Sequence, residues 1–457
     1  MIALAVATSL VREALRALGA PLRLLAYLPF RNRWRRLARA ALAAAAQSSA
    51  DTESSTAVVD RLVERAVIGR RLRAKDRRPR VFISAGEASG DAHGARLCTA
   101  IADSADVVAF GGQSMRAAGA DVRFPLAEHA VMGVVSVLKQ LPMVLRAYAT
   151  FLRILRDEPP DLVVLVDYPG LHLVMAKACK RARVPVLHYV APQYWAWGPW
   201  RMRRYRRAVD ATLTILPFET AFFAQFEVPA CYIGHPLLDQ LAAAPPNAAE
   251  VLAMRARPTI CLLPGSRRSE IEANLPGMLR TAATIRSHDP LAHVVVAHCD
   301  KNREALLREL VATHAARAGV EVHIGPLAPR LAGARLTLAK SGTGSLEACL
   351  FGNPVVVVYK LRSALASLGY HNILSVPFIA AANLIAGREV VPELCFHDAD
   401  GWHRVADAAL RLWTDETARR ECEEGLAEVR RKLGGPGATT RVVAIVDAFI
   451  HRTAVQP

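Results

Sequence analysis

From residue 81 onward the chain alternates short, continuous apolar runs with stretches of helical character, and it does so in two series. The first series is "VFISA", "DVVAF", "LVVLVD", "VPVLHYV" and "ATLTIL"; the second is "TICLLPG", "HVVVAH", "VEVHIG", "LTLAKSG" and "VVVVYK". A strand apolar at nearly every position is covered on both faces, and strands joined through helices run parallel. The pattern predicts an α/β protein of two doubly wound, Rossmann-like domains facing each other across a cleft. The break falls at "GHPLLDQLAAAPPNAAEVL", which sets an N-terminal domain over 80–240, a C-terminal domain over 241–400 and C-terminal helices over 401–457.

A net charge of +17 suggests nucleic acid until its distribution is read. Residues 1–80 hold 17 Lys and Arg against 6 Asp and Glu, so 11 of the 17 surplus charges lie there. The domains themselves are only mildly basic, and no nucleic-acid module accompanies them. In the extension 1–79, Leu and Ala alternate with arginines at roughly helical spacing, and Trp34 lies among Arg31, Arg33, Arg35, Arg36 and Arg39. An interfacial amphipathic helix fits this, as does a basic tail, a targeting segment or a start set too early. No run of eighteen uncharged apolar residues exists, so a spanning helix is not expected. The eight cysteines form no C-x-x-C pair and read as reduced, small hydrophobes.

Ligands of doubly wound sheets gather beyond the carboxyl ends of strands, so the residues just after each run matter most. "LLPGSRRSEI" is a strand, a turn and a helix start, whose free amides and Arg267 could hold an anion. "AKSGTGSLEACLFG" repeats the arrangement, with Glu347 one turn inside the helix, where it could accept ribose hydroxyls. Either turn alone is more simply a helix cap; the two together imply a nucleoside diphosphate. "LVVLVDYPG" puts Asp167 at the end of an apolar strand, either as a turn former or as a carboxylate whose desolvation suits a general base. "SAGEASGDAHGA" spaces Gly86, Gly90 and Gly94 four apart beside Glu87 and Asp91, away from the dinucleotide spacing. Their bare backbone is expected to approach a bound sugar and the opposing domain, with a small-residue packing face as the simpler reading for Gly94. "QYWAWGPWRMRRYRR" and the apolar "AVMGVVSVLKQLPMVLRAYATFLRIL" fit an anionic lipid or sugar phosphate and an acyl chain or bilayer, with core packing close behind.

These residues together resemble lipid-A-disaccharide synthase, a family of inverting glycosyltransferases with the two-domain glycosyltransferase-B fold. The resemblance runs from about Val81 to about Leu433 through ten motifs in the family's order, among them "FGGQSMRAAG", "HYVAPQYWAW", "LPFETAFF", "YIGHPLLD" and "NLIAGREVVPEL". It implies transfer of 2,3-diacylglucosamine from its UDP derivative to 2,3-diacylglucosamine 1-phosphate, with a β-1,6 linkage and release of UDP. It also implies a peripheral place on the inner face of the cytoplasmic membrane, and it leaves a homodimer open. By motif, Asp167 and Glu87 are the catalytic candidates. Gly265, Ser266, Arg267, Ser341, Gly342, Thr343, Glu347, Asn383 and Arg388 are expected to bind the UDP-sugar. Gly86, Ser89, Gly90, Asp91, Trp195 and Arg201 are expected on the acceptor side. No Asp-x-Asp pair adjoins the phosphate turns, so neither a metal nor a cofactor is expected. The alternatives are another UDP-sugar enzyme of this fold, such as a UDP-N-acetylglucosamine 2-epimerase, or a non-catalytic scaffold.

Overall fold

The apolar runs become strands because every face of them is covered. The structure, a computed structural model, describes residues 28–47, 60, 62–64, 77–129, 134–315 and 319–452. It divides into two units, the first reaching Asp239 and resuming at Gly435, the second centred on Gln240–Gly434.

In the first unit seven strands pair in parallel among the described residues: β1 (Arg80–Ala85), β2 (Asp106–Phe110), β3 (Asp121–Phe124), β4 (Leu162–Val166), β5 (Val186–Tyr189), β6 (Ala211–Thr214) and β7 (Ala230–Tyr232). Their order is β3-β2-β1-β4-β5-β6-β7, so the winding reverses between β1 and β4. All five residues of β4 are 0% exposed. Burying such a side chain stabilises the fold by about 1.5–3 kcal/mol, the main reason this strand sits at the centre.

Among the described residues the second unit has six parallel strands: β8 (Thr259–Leu263), β9 (His293–His298), β10 (Val320–Ile324), β11 (Leu336–Lys340), β12 (Val355–Lys360) and β13 (Glu393–Phe396). Their order, β10-β9-β8-β11-β12-β13, reverses between β8 and β11.

The helices that matter below are, in chain order, α1 (Arg31–Gln47), α2 (Ala88–Ile101), α3 (Val134–Asp157), α4 (Pro169–Ala182), α5 (Pro217–Ala224), α6 (Arg268–His288), α7 (Thr343–Leu350), α8 (Ala381–Ala386), α9 (Asp400–Thr414), α10 (Glu416–Leu433) and α11 (Ala438–Arg452). The segment 401–457, expected as C-terminal helices, is shared between the two units. Helices α9 and α10 belong to the second unit, whereas α11 returns to the first and buries Val442, Ile445, Val446, Phe449 and Ile450 in its core.

In the extension, Trp34 of α1 stacks on Phe226 with ring centroids 6.0 Å apart, and Gln225 donates to the Leu37 carbonyl at 3.1 Å. Trp34 is thus occupied with the first unit. The interfacial reading of residues 1–27 lies outside the described residues. So do the side chains of 134–140 at the start of α3, where bilayer contact was expected; further along, Phe151 and Ile154 of that helix enter the core while Leu141 is exposed.

Candidate active site

Strands β1 and β4 lie side by side at the first sheet's reversal, with Ala85 opposite Val166. The two chain segments that leave them therefore emerge together: Gly86–Glu87 into α2, and Asp167–Tyr168 into α4. This is where a doubly wound sheet opens a crevice.

Asp167 and Tyr168 are both left-handed, with φ 50° for each, and Pro169 then opens α4. Two consecutive non-glycine residues in this region cost on the order of 1–3 kcal/mol each, so surrounding contacts must fix them. The Asp167 amide donates to the Tyr189 carbonyl at 3.0 Å. Its own carbonyl accepts from His172 Nδ1 at 2.6 Å and from His188 Nε2 at 3.0 Å. Ser84 and His172 Nε2 are 2.8 Å apart. The Asp167 carboxyl is pushed up to about 6 by burial and by the charge of Glu87. The Tyr168 hydroxyl is raised by the same two causes. Two acids thus share one neighbourhood, and the more buried one holds its proton to near neutrality.

The glycine spacing brings bare backbone against neighbouring side chains of the same unit. A Cβ on Gly86 would lie 2.2 Å from Tyr168 Cγ, one on Gly90 would touch Ala85 and Val166, and one on Gly94 would meet the Met115 methyl. The close approach is to the protein's own side chains, the packing reading given for Gly94 and here shared by Gly86 and Gly90. Asp91 is also spoken for. At 4% exposure its carboxylate accepts the amides of Gly112 at 2.6 Å and Ser114 at 2.9 Å, holding the start of the Gln113–Ala117 helix. Trp195 is likewise inside, 4% exposed, with its indole N–H donating to Glu219 at 2.9 Å. Neither can line an open acceptor site as expected. Ser89 and Arg201 remain at the surface, the Arg201 guanidinium 5.7 Å from the Tyr194 ring centre.

In the second unit the reversal brings together the ends of β8 and β11, where Leu263 stands opposite Ala339. Gly265, at φ 119°, begins the turn into α6. The amides of Ser266 and Arg267 are not free for an anion, as the sequence suggested. The Glu270 carboxylate accepts them at 3.1 and 3.3 Å, and also binds Arg267 Nη1 at 3.3 Å and Lys340 Nζ at 3.0 Å. Burial pulls Glu270 upward, but Lys340, together with the bonds from Lys340 and Arg267, outweighs it and holds the group below its ordinary range. Beside it, Ser341 is buried, Gly342 (φ 155°) and Thr343 are exposed at the start of α7, and Glu347 is half-buried and raised by that burial. Gly265–Arg267 and Ser341–Glu347 are thus brought to one edge of the sheet. Lys340, Glu270 and the pair of histidines on Asp167 went unnoticed in the sequence; Lys340 and His188 are strand residues at or near carboxyl ends, which was the available signal.

Asn383 is not at that edge as a ligand group. It is 0% exposed, its amide donates to Val391 and Glu393, and its carbonyl accepts the amides of Val390 and Val391. It ties α8 to the approach to β13, and the expected ligand contact is withdrawn. Arg388 is exposed and paired with Glu428 at 2.6 Å. Among the described residues no group of three His, Cys, Asp or Glu is placed to hold a metal ion.

A family model described as Lipid-A-disaccharide synthetase matches residues 81–440. The chain belongs to that family. Relatives named lipid-A-disaccharide synthase include those of Geobacter metallireducens, 35% identical over 375 residues and covering 80% of this chain and 96% of the relative, and of Myxococcus xanthus, 37% identical over 380 residues with 80% and 97% covered. The Acidobacterium capsulatum synthase is 37% identical over 394 residues, covering 82% and 98%. Among solved structures, the S. aureus MnaA–UDP complex aligns with a TM-score of 0.54 at 13% identity over 83% of this chain and 99% of its own. The glycotransferase of kitacinnamycin aligns at 0.51 and 16% over 83% and 100%. At such identities these structures show the fold alone, an α/β pair of parallel sheets of the glycosyltransferase-B class. They lend the epimerase alternative nothing beyond that fold, whereas the lipid-A-disaccharide synthetase match spans both units.

Proposed function

We propose that this synthetase-family chain moves 2,3-diacylglucosamine from its UDP derivative onto the 6-hydroxyl of 2,3-diacylglucosamine 1-phosphate. The acceptor oxygen bonds to the anomeric carbon as the bond from that carbon to the diphosphate breaks, its electron pair leaving with UDP. The hydroxyl proton passes to Asp167, and the new linkage is β-1,6. One observation carries this reading: in a chain of this family, the residue at the end of β4 is a largely buried carboxyl raised to about 6, beside a second acid, Glu87. A base of that strength is deprotonated at neutral pH and still takes a proton readily.

Donor binding falls to the second unit. Arg267 and Lys340 meet the diphosphate, the α7 start at Ser341, Gly342 and Thr343 adds its amides, Gly265 keeps the turn tight, and Glu347 accepts the ribose hydroxyls. Glu270 keeps both cations in place between turnovers. On the acceptor side Ser89 and Arg201 are the remaining candidates. Trp197, followed closely in sequence by Arg201 and Arg203 and exposed like them, supports peripheral contact with an anionic membrane on its inner, cytoplasmic face, and no described helix is long and apolar enough to cross one.

The test is transfer of labelled donor to acylated acceptor in detergent, with UDP affinity measured separately by calorimetry. Asp167→Asn is expected to lose about two to four decades in rate while binding UDP as before. The rate of the unaltered enzyme should fall as pH drops through about 6, where Asp167 takes up its proton. Full turnover by Asp167→Asn would move the base to Glu87, to be checked with Glu87→Gln.

A further inference from the structure

The carbonyl of Asp167 receives two side-chain donors from different elements, His172 on α4 at 2.6 Å and His188 on β5 at 3.0 Å. Both rings are inside the protein, at 0% and 2% exposure. A carbonyl oxygen only accepts, so each ring must carry its hydrogen on the nitrogen that faces it. For His172 this leaves Nε2 as an acceptor, and the Ser84 hydroxyl supplies the donor at 2.8 Å. For His188 it leaves Nδ1 bare, buried and without a partner among the described residues. An unsatisfied buried acceptor costs roughly 1–3 kcal/mol. Packing alone gives no reason to accept that cost, because an aliphatic residue would fill the same space without it. What a histidine adds here is its second donor.

The donors meet a backbone that needs them. Residues 167 and 168 are the consecutive left-handed pair from which the acid is presented next to Glu87, and a relaxed turn would let the carboxyl swing away. Burial lowers His172 to about 3 and His188 to about 4, so both rings are neutral at any working pH and offer the same donors throughout. The charged and titratable groups around Asp167 are then Glu87 from the β1–α2 turn, Tyr168 on its own turn, the two neutral rings from α4 and β5, and Glu219 of α5.

We propose that His172 and His188 are positioning residues for the transfer reaction, neutral imidazoles that jointly clamp the Asp167 carbonyl and so hold its carboxyl where it takes the acceptor's proton. This rests on Asp167 being the base. The clamp acts on geometry: without it the turn relaxes, the carboxyl gains water, and the upward push of burial weakens.

The experiment measures kcat and KM from pH 5 to 9 for His188→Ala, His188→Gln, His172→Ala and Asp167→Asn, with circular dichroism and thermal unfolding recorded for each. His188→Ala is expected to lower kcat by about tenfold to a hundredfold, the scale of a misplaced catalytic group, with the KM for the UDP-sugar unchanged. Its acid limb should move below the unaltered enzyme's. His188→Gln, which keeps an N–H donor, should recover most of the rate and the limb. A structural role alone would lower stability and yield but leave the acid limb in place, and that result would overturn the clamp. If His188→Ala does not fold, His172→Ala is read by the same limb, and an unmoved limb there is equally decisive. An active Asp167→Asn would sink the underlying assignment instead. An inactive Asp167→Asn alongside clamp variants with an unmoved limb and kcat within twofold would sink the clamp alone.

Discussion

Gly86 sits where a side chain cannot, because the position its Cβ would take is 2.2 Å from the root of the Tyr168 ring. Gly94 looks equally crowded, with the Met115 methyl at 1.7 Å, but that atom is the free end of a flexible chain. The two substitutions should therefore part company. Gly86→Ala must push Tyr168, and with it the left-handed turn of Asp167; it should cost about 1–3 kcal/mol in urea unfolding and a larger share of kcat. Gly94→Ala asks Met115 to choose another rotamer and should leave the transfer rate nearly as it was. Equal rates for the two would mean that the Tyr168 ring does not help to set Asp167. The sequence showed which backbone positions were bare; it could not show that the object filling the one at Gly86 was a tyrosine eighty-odd residues away. The same limit hid the occupant of the "PGSR" amides. Glu270 stands three residues after Arg267, the spacing at which a carboxylate turns back onto the amides that open its own helix. The helix-cap reading of that turn was therefore legible in the sequence, down to the carboxylate that makes the cap.

Elements were legible in proportion to how fully they are buried. The central strands announced themselves as unbroken apolar runs, and the residues at both sheet reversals follow from them. Three strands went unread: β3 ("DVRF"), β7 ("ACY") and β13 ("ELCF"). All three are edge strands of three or four residues, covered on fewer sides, so their composition carries little pattern. Helix α11 hid its allegiance for another reason: its apolar face is plain, but sequence does not say which core receives it. Asp239 decides this locally, accepting the amides of Gly437 at 2.6 Å, Ala438 at 3.1 Å and Thr439 at 2.8 Å, and the Thr439 hydroxyl at 2.8 Å. Burial would raise this carboxyl, yet those bonds outweigh it and hold it low. Removing a helix cap costs about 0.5–2 kcal/mol. Asp239→Ala should therefore loosen α11 first, seen as faster amide exchange over 438–452 with β8–β13 unchanged. Uniform exchange changes across both units would show that the cap does not act locally.

At the scale of the whole chain the two units differ in how they should respond to acid. In the first, burial lowers His93, His188 and His235 to about 4 and His172 to about 3, with neighbouring cations or histidines adding to the effect at several of them. Burial also raises Asp167 to about 6 and Glu219 to about 7. As pH falls from about 6.5 to about 4.5, each of those histidines binds a proton in the unfolded chain and not in the folded one, which removes stability. The two carboxyls act in the opposite sense, since the folded state keeps protons that the unfolded chain has released. Four groups against two leave a net uptake of about two protons on unfolding, a loss on the order of 2–3 kcal/mol per pH unit. In the second unit burial lowers His298 and raises Glu347 and Glu393, effects that oppose each other as pH falls, and Glu270 and Glu428, both held low, matter only in stronger acid. Acidification from pH 7.5 to 5.5 should accordingly bring down the unfolding of the first unit while leaving the second nearly in place. Hydrogen-exchange mass spectrometry along a urea gradient, corrected for intrinsic exchange rates, reads the two sets of peptides separately. If both midpoints fall together, or that of β8–β13 falls first, the buried histidines do not govern the acid limit of the fold.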